Sequence, residues 1–254
     1  MTHTENVVLV TGGSRGIGAA ACLRAAELGH GILVNYVSNR QAAEEVVAQI
    51  ERAGGRARAV PGDVQSEADV LAMFAACDDF GRLVGLVNNA GVVDRHQRVD
   101  EMTLERLNRM FAINLVGSFL CAREAVKRMS TRHGGKGGAI VNIGSASSKL
   151  GSGNQYVDYA ASKGGIDTMT VGLALEVATE GVRVNAVRPG IIDTEIHASG
   201  GAPDRVAKIE SSLPMKRAGT ADEVAKAIKW LLSDDSSYTT GAILDVSGGR
   251  AILP

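Results

Sequence analysis

Cysteine is scarce in this chain. Its three cysteines, Cys22, Cys77 and Cys121, lie far apart and are odd in number. A disulfide framework and a CxxC metal or redox site are both excluded, and a reducing, cytoplasmic setting is implied. No charge of one sign dominates: 27 lysines and arginines stand against 28 acidic residues, a formal net charge of −1. That balance argues against a nucleic-acid partner held by bulk electrostatics. No run of about 18 uncharged apolar residues occurs, so no membrane span is expected. The start of the chain, Met1 to Asn6, carries no basic segment, and the apolar run at 7–10 is too short for a secretory signal. The five histidines are scattered without HExxH or comparable spacing, so no metal site is expected. There is no Pro- or Ser-rich linker, fixed-period repeat or low-complexity tract, and one domain over 1–254 is the economical expectation.

What is present is ordinary globular composition, 45% hydrophobic and 22% charged, which rules out global disorder. Glycine is the excess: 31 residues against a usual share of about 7%. Such numbers point to tight turns and close backbone approaches. Short runs that are apolar on both faces recur at 7–10, 31–36, 57–60, 83–87, 139–143, 182–187 and 242–246. A buried parallel sheet requires that pattern. Helical spacing fills the intervals, as in Ala43, Val46, Val47 and Ile50 before the Gly54-Gly55 stop. Ser66 with Asp69, and Thr220 with Glu223, read as capping boxes. Strands alternating with helices give an α/β, doubly wound parallel sheet. Two segments read as long loops, 92–100 and 191–217, and the second has the length of a substrate lid.

Chemistry concentrates at the ends of the strands. Thr11 to Gly18 (TGGSRGIG) follows the first strand and opens a helix. Gly12 permits the turn, Gly16 lets backbone approach a pyrophosphate, and Gly18 lets the helix sit close on the sheet. The N–H groups around Ser14, Gly16 and Ile17 then face the phosphates at the helix N-terminus. An acidic residue that would hold a ribose 2′-hydroxyl is missing after Asn35-Tyr36; Val37, Ser38, Asn39 and Arg40 follow instead. NADP(H) is therefore expected over NAD(H). Arg15 and Arg40 are candidate partners of its 2′-phosphate, and Arg40 reads equally as a solvated helix start. Asp63-Val64 and Asn88-Asn89-Ala90-Gly91 end the next two strands, where such sheets bind ligands. Asp63 could accept from an adenine amino group; Asn88 and Asn89 could hold loop or ribose geometry, and each taken alone reads as a turn residue.

Tyr159 and Lys163 (YAASK) share one helix face. A lysine charge about 4 Å from the phenol at an effective dielectric near 20 contributes about 4 kcal/mol, enough to bring the phenol from 10 towards 7. Such a tyrosine protonates a carbonyl oxygen, or deprotonates a hydroxyl in reverse. Ser145 arrives at the same sheet edge and can orient the substrate oxygen, with Ala146 and Ser147 as register rivals. Tyr156 has Ala160 four residues on, so it has no lysine partner. Asn114, in the middle of a helical pattern, could hold a proton-relaying water or be a satisfied core residue. His197 lies in the expected lid and reads as a surface histidine. The basic run 123–136 reads as a solvated helix end, or as a dock for an acidic partner.

Taken in order, TGGSRGIG, the DV at Asp63, NNAG at Asn88, Asn114, the GS at Ser145, YAASK at Tyr159 and RPG at Arg188 resemble the short-chain dehydrogenase/reductase family over nearly the whole chain. The resemblance implies a seven-stranded Rossmann-type sheet and NAD(P)-dependent exchange between a small carbonyl compound and its alcohol. It implies the tetrad Asn114, Ser145, Tyr159 and Lys163, with Lys163 also on the nicotinamide ribose. Pro189, Gly190, Ile192 and Thr194 are implied around the carboxamide. It further implies a homotetramer or homodimer. A non-catalytic NADP-binding regulator on the same fold is the rival reading.

Overall fold

The structure, a computed structural model, describes residues 6–252. The segment at 1–5, on which the reading of the N-terminus rests, lies outside the described residues. Seven strands form one parallel sheet: β1 (Asn6–Val10), β2 (Gly31–Tyr36), β3 (Ala57–Pro61), β4 (Arg82–Asn88), β5 (Gly138–Ile143), β6 (Val182–Pro189) and β7 (Ile243–Val246). Their order is β3-β2-β1-β4-β5-β6-β7. The chain reverses direction across the sheet between β1 and β4, and a crevice opens at the carboxyl ends there.

Alternation along each strand explains the doubly apolar runs. Val7 and Leu9 of β1 enter one core with Leu33, Leu86, Ile140 and Phe74. Val8 and Val10 enter the other with Ile32, Val34, Val87 and Ile228. Side chains with a period of two serve both faces, so neither face can be polar. The helices over the first core are α3 (Glu67–Phe80), α5 (Gly117–Met129) and α7 (Val157–Val177). Over the second lie α1 (Gly16–Ala26), α2 (Arg40–Arg52) and α10 (Ala221–Leu232). The Thr220–Glu223 box caps α10 in both directions. At α3 only half of the expected box forms. Ser66 Oγ accepts from the Asp69 amide, while the Asp69 carboxylate accepts from the Asp63 N–H.

Two details differ from the periodic reading. The helix expected through Asn114 is interrupted: α4 (Leu104–Phe111) passes into α5 through a π-helical turn at Ala112–Val116. Such a widened turn inserts a residue into the ladder and often lies at a functional site. The expected lid holds two short helices, α8 (Ile196–Ser199) and α9 (Arg205–Ile209). Its base is closed by a bridge in which Asp193 N–H donates to Gly219 O and Gly219 N–H donates to Ile191 O. A four-residue helix, α6 (Ser147–Leu150), follows β5.

The start of α7 is pinned by an ion pair with no sequence signature. Asp158 takes Arg106 Nε at 2.8 Å and Nη2 at 3.2 Å, and both side chains are almost fully buried. Arg106 Nη1 also donates to Arg95 O and Gln97 Oε1, so one guanidinium joins α4, α7 and the loop before α4. Removing one partner of a buried pair strands the other charge. Asp158→Ala should cost about 3 kcal/mol in urea unfolding, and the Arg106→Met/Asp158→Leu double variant should recover most of it. A single-variant loss below about 0.5 kcal/mol would contradict this role.

Candidate active site

The glycine loop is held by side chains that sit under it. Gly12 adopts φ +61°, in the left-handed region, and a Cβ on Gly18 would stand 2.2 Å from Gly12 O. An alanine at 18 would therefore push α1 off the loop. Asn89 Nδ2 donates to Thr11 O at 2.9 Å and Gly12 O at 3.0 Å. Thr11 Oγ1 accepts from the amides of Asn89 and Ala90. Asn35 accepts from the Gly12 N–H and donates to Gly62 O. Asn35 was not singled out from the sequence; a polar residue inside an apolar strand run was its signal.

The first turn of α1 carries neither a side-chain cap nor an acidic residue, which leaves its N–H groups for an anion. Gly16, at φ +53°, faces Thr194 at the foot of the lid, so the two expected cofactor segments do meet. Arg15 is exposed, and its guanidinium makes no ion pair or hydrogen bond among the described residues. Arg40 turns to Glu44 at 3.4 Å, and Asn39 caps α2 by accepting from the Ala42 amide. Ser38 is exposed beside them and Tyr36 ends β2 half-buried, with no carboxylate following. These features fit a dinucleotide carrying a 2′-phosphate.

Other expected contacts are taken up within the protein. The Asp63 carboxylate accepts from the backbone and side-chain amides of Gln65. Val64 is buried against Gly117. Asn88 points into the core, donating to Ser118 O and Asn142 Oδ1, and Asn142 donates to Thr170 Oγ1. Asn88 thus supports the site from below, whereas Asn89 shapes the loop. Gly190 follows Pro189 at the end of β6, where a Cβ would meet Ser247 O at 2.6 Å. Ile192 is buried at the base of the lid, and His197 bonds Ile192 O, half-buried rather than on the surface.

Four side chains converge beyond the ends of β4 and β5. Asn114 is fully buried; its Oδ1 accepts from Val92 N–H at 2.8 Å and its Nδ2 donates to Val92 O at 2.9 Å. The amide is therefore engaged as a clamp on the backbone of Val92. A Cβ on Gly91 would stand 3.3 Å from Asn114 Oδ1 and 3.5 Å from Lys163 Nζ, so only glycine leaves these two groups room. Lys163 Nζ donates to Ile143 O at 2.8 Å. Ser145 Oγ interacts with the Tyr159 phenol and accepts from Ser147 N–H. Tyr156 packs edge-on against Tyr159, with ring centroids 5.5 Å apart.

The electrostatics correct one expectation. Lys163 Nζ lies 5.8 Å from the Tyr159 ring centroid. Burial dominates instead and pushes the Tyr159 phenol up to about 12, against the pull of Ser145 and with the help of Tyr156. Burial also brings the Lys163 ammonium down to about 8, with Asp167, one turn on, opposing. Near pH 7 the site therefore holds a protonated phenol beside an ammonium.

The cysteines take no part. All three are free and buried, and burial raises each thiol, Cys77 and Cys121 to about 12. The basic run is tied to carboxylates of the chain itself: Arg123 to Glu67, Lys127 to Glu124, and Arg128 to Asp78 and Glu124. Among the described residues no group of three or more potential metal ligands occurs, and no helix is long and apolar enough to cross a membrane.

Comparison with known proteins agrees with this arrangement. A family model described as enoyl-(acyl carrier protein) reductase matches residues 12–251. The chain is 55% identical to the uncharacterised oxidoreductase YgfF of Escherichia coli (strain K12), over 96% of this chain and 99% of that one. It is 38% identical to glucose 1-dehydrogenase 2 of Bacillus subtilis (strain 168), covering 99% and 96% of the two chains. A crystal structure of a dehydrogenase/reductase from Sinorhizobium meliloti 1021 superposes with a TM-score of 0.88 at 32% identity, covering 97% of this chain and 95% of that one. A parallel Rossmann-type sheet and these relatives place the chain among the short-chain dehydrogenase/reductases, and it belongs to that family of NAD(P)-using oxidoreductases.

The lowered lysine has a thermodynamic signature. The unfolded chain holds the Lys163 proton up to its ordinary 10.5, the folded chain only to about 8. Between these values the unfolded state binds more protons, so stability rises with pH. The cost of burying the charge is full below about 8 and is relieved towards 10.5. The unfolding free energy of the wild type minus that of Lys163→Met should therefore climb between pH 8 and pH 10; a flat difference would show that the ammonium is not penalised.

Proposed function

We propose that the protein is an NADP(H)-dependent oxidoreductase that interconverts a ketone or aldehyde and a secondary alcohol, with Tyr159 as general acid and base. The observation that carries this reading is the meeting of Ser145, two residues beyond β5, with Tyr159 and Lys163 in the first turns of α7. When bound, the dinucleotide supplies or accepts the hydride. With Gly12 making the turn, the N–H groups of Ser14, Gly16, Ile17 and Gly18 would hold its pyrophosphate, with Asn89, Ala90 and Gly91 beside them and Ile192 and Thr194 closing over. Lys163 would share its remaining donors with the ribose.

The chain's own residues then handle the proton. Ser145 orients the carbonyl oxygen towards the phenol. Tyr159, protonated near neutral pH, donates its proton to the developing alkoxide, and Lys163 steadies the phenolate that remains. Oxidation runs the same transfer backwards and gains as pH rises. Asn114 keeps the Val92 backbone in place beside Gly91. The whole chain acts as one domain in this reading, with 191–217 as its lid. Three inert thiols suit a reducing cytoplasm. An acyl carrier protein is disfavoured as partner, because Arg123, Lys127 and Arg128 are already paired with carboxylates and Glu180 lies beside Arg132.

The preference for NADP(H) over NAD(H) rests on unpaired Arg15 and on the missing carboxylate after Tyr36. Titration should show NADPH binding more tightly than NADH, with Arg15→Ala narrowing the gap; equal affinities would overturn the preference. Tyr159→Phe should abolish turnover of every carbonyl compound the wild type reduces while leaving NADPH affinity nearly intact. Near-normal turnover by that variant would overturn the catalytic assignment, and a wild type that binds NADPH but reduces nothing would favour the regulator.

The outer faces of α5 and α7 expose Phe119, Val171 and Leu175, and Gly164 and Gly172 leave open space between them. Such a face suits a two-fold contact with a second copy, as the basis of a homodimer or homotetramer. Light scattering at micromolar concentration should report an oligomer, and Leu175→Glu should shift it towards monomer.

A further inference from the structure

A cleft of about 330 Å³ opens beside Ser145, and two arginines line it: Arg205, the first residue of α9, and Arg250, beyond β7. The volume suits a small molecule. Among the described residues no aspartate or glutamate lines this cleft. Arg56 and Arg183 are satisfied by backbone carbonyls and a hydroxyl, and Arg106 and Arg188 find carboxylates in Asp158 and Asp167. Arg205 finds no carboxylate. Its Nη1 meets His96 Nε2 at 2.8 Å and its Nη2 donates to Gln155 Oε1 at 2.9 Å. Burial and the guanidinium itself lower the His96 pKa, so this partner is a neutral imidazole at pH 7. Arg205 Nε is buried without any hydrogen-bond partner. The Arg250 guanidinium makes no ion pair or hydrogen bond among the described residues. Burial and the charge of Arg205 both push its pKa down.

Two guanidiniums on one cleft wall repel each other and stand desolvated without a counter-charge. An arrangement of this kind is costly unless an anion completes it. Guanidinium groups match the planar, bidentate geometry of oxyacids. The distance to the reacting centre is short: Arg205 lies 5.3 Å from the Tyr156 ring, and that ring lies 5.5 Å from the ring of Tyr159.

We propose that the substrate carries an anionic oxyacid group, a carboxylate or a phosphate, which Arg205 and Arg250 bind while its carbonyl or hydroxyl lies at Ser145. The proposal rests on the reading of Ser145 and Tyr159 as the reacting centre and adds the substrate's chemical class. It makes the two arginines determinants of specificity. Because Arg205 sits on the lid, the anion also ties the lid to the far end of the chain.

Matched carbonyl pairs test it with NADPH as reductant: acetoacetate and levulinate beside their methyl esters, and dihydroxyacetone phosphate beside dihydroxyacetone. At least one anionic member should exceed its neutral partner roughly tenfold or more in kcat/KM, chiefly through KM. The acid and phosphate arms then tell the two oxyacids apart. The anionic-to-neutral ratio should fall towards one in Arg250→Gln and in Arg205→Gln, and Arg250→Lys should keep part of it. Neutral partners used as well as the anions, or a ratio that survives both glutamine variants, would overturn the proposal while leaving the carbonyl-reductase reading intact. If no pair is turned over at all, that reading fails, and the anion site is judged by thermal unfolding alone. Propionate or inorganic phosphate, against chloride at constant ionic strength, should raise the wild-type Tm and not that of the Arg205→Gln/Arg250→Gln double variant. Equal shifts in both proteins, or none in the wild type, would overturn it.

Discussion

Lys163 places an ammonium in the protein interior, and its hydrogen bond to Ile143 O decides how α7 meets the end of β5. An unpaired charge could not stay there. The bond is made two residues before Ser145 and four residues after Tyr159, so it draws the phenol and the hydroxyl to the same place. The Arg106–Asp158 pair fastens the first turn of the same helix from the other side. Between these two anchors Tyr159 has little freedom, which is what a proton donor needs.

The rest of the site follows from the parallel sheet. Strands that run in one direction deliver all their carboxyl ends to one edge, where the backbone must leave the ladder and find other partners. Side-chain amides take up that task. Asn35 and Asn89 hold the glycine loop, and Asn114 holds Val92. Beneath them Asn88, Asn142 and Thr170 run through the core as a hydrogen-bonded line. Buried polar groups of this kind are satisfied and therefore rigid. The loops around the cleft are irregular without being loose.

Much of this was legible before any coordinates. The seven apolar runs correspond to the seven strands, because a doubly covered strand leaves no choice of face. The glycine spacing and the Tyr159–Lys163 spacing are local, and local geometry is what a linear sequence encodes directly. What could not be read is long-range or directional. Asn88 and Asn89 look alike in sequence, yet alternation along β4 sends one into the core and the other under the glycine loop. The π-helical turn at Asn114 has no period to announce it. Arg106 and Asp158 are 52 residues apart, and nothing in either neighbourhood says that they pair. Helix spacing put Lys163 and Tyr159 on one face correctly, but the lysine turns to a carbonyl rather than to the phenol. The same holds for Arg205 and Arg250, which only the closing of the lid over the sheet brings to one cleft.

In the proposed reaction a buried ammonium steadies the phenolate that forms when Tyr159 gives up its proton. The pH dependence of kcat/KM for carbonyl reduction reads the free enzyme's groups most directly. Lys163 loses its charge at about 8, and Tyr159 keeps its proton to about 12. The rate should therefore be level through neutral pH and break downward near pH 8 as the phenolate loses its neighbouring charge. That break should vanish in whatever activity Lys163→Arg retains, since a guanidinium stays charged. A profile with no break below pH 10 in the wild type, or the same break in Lys163→Arg, would contradict the account.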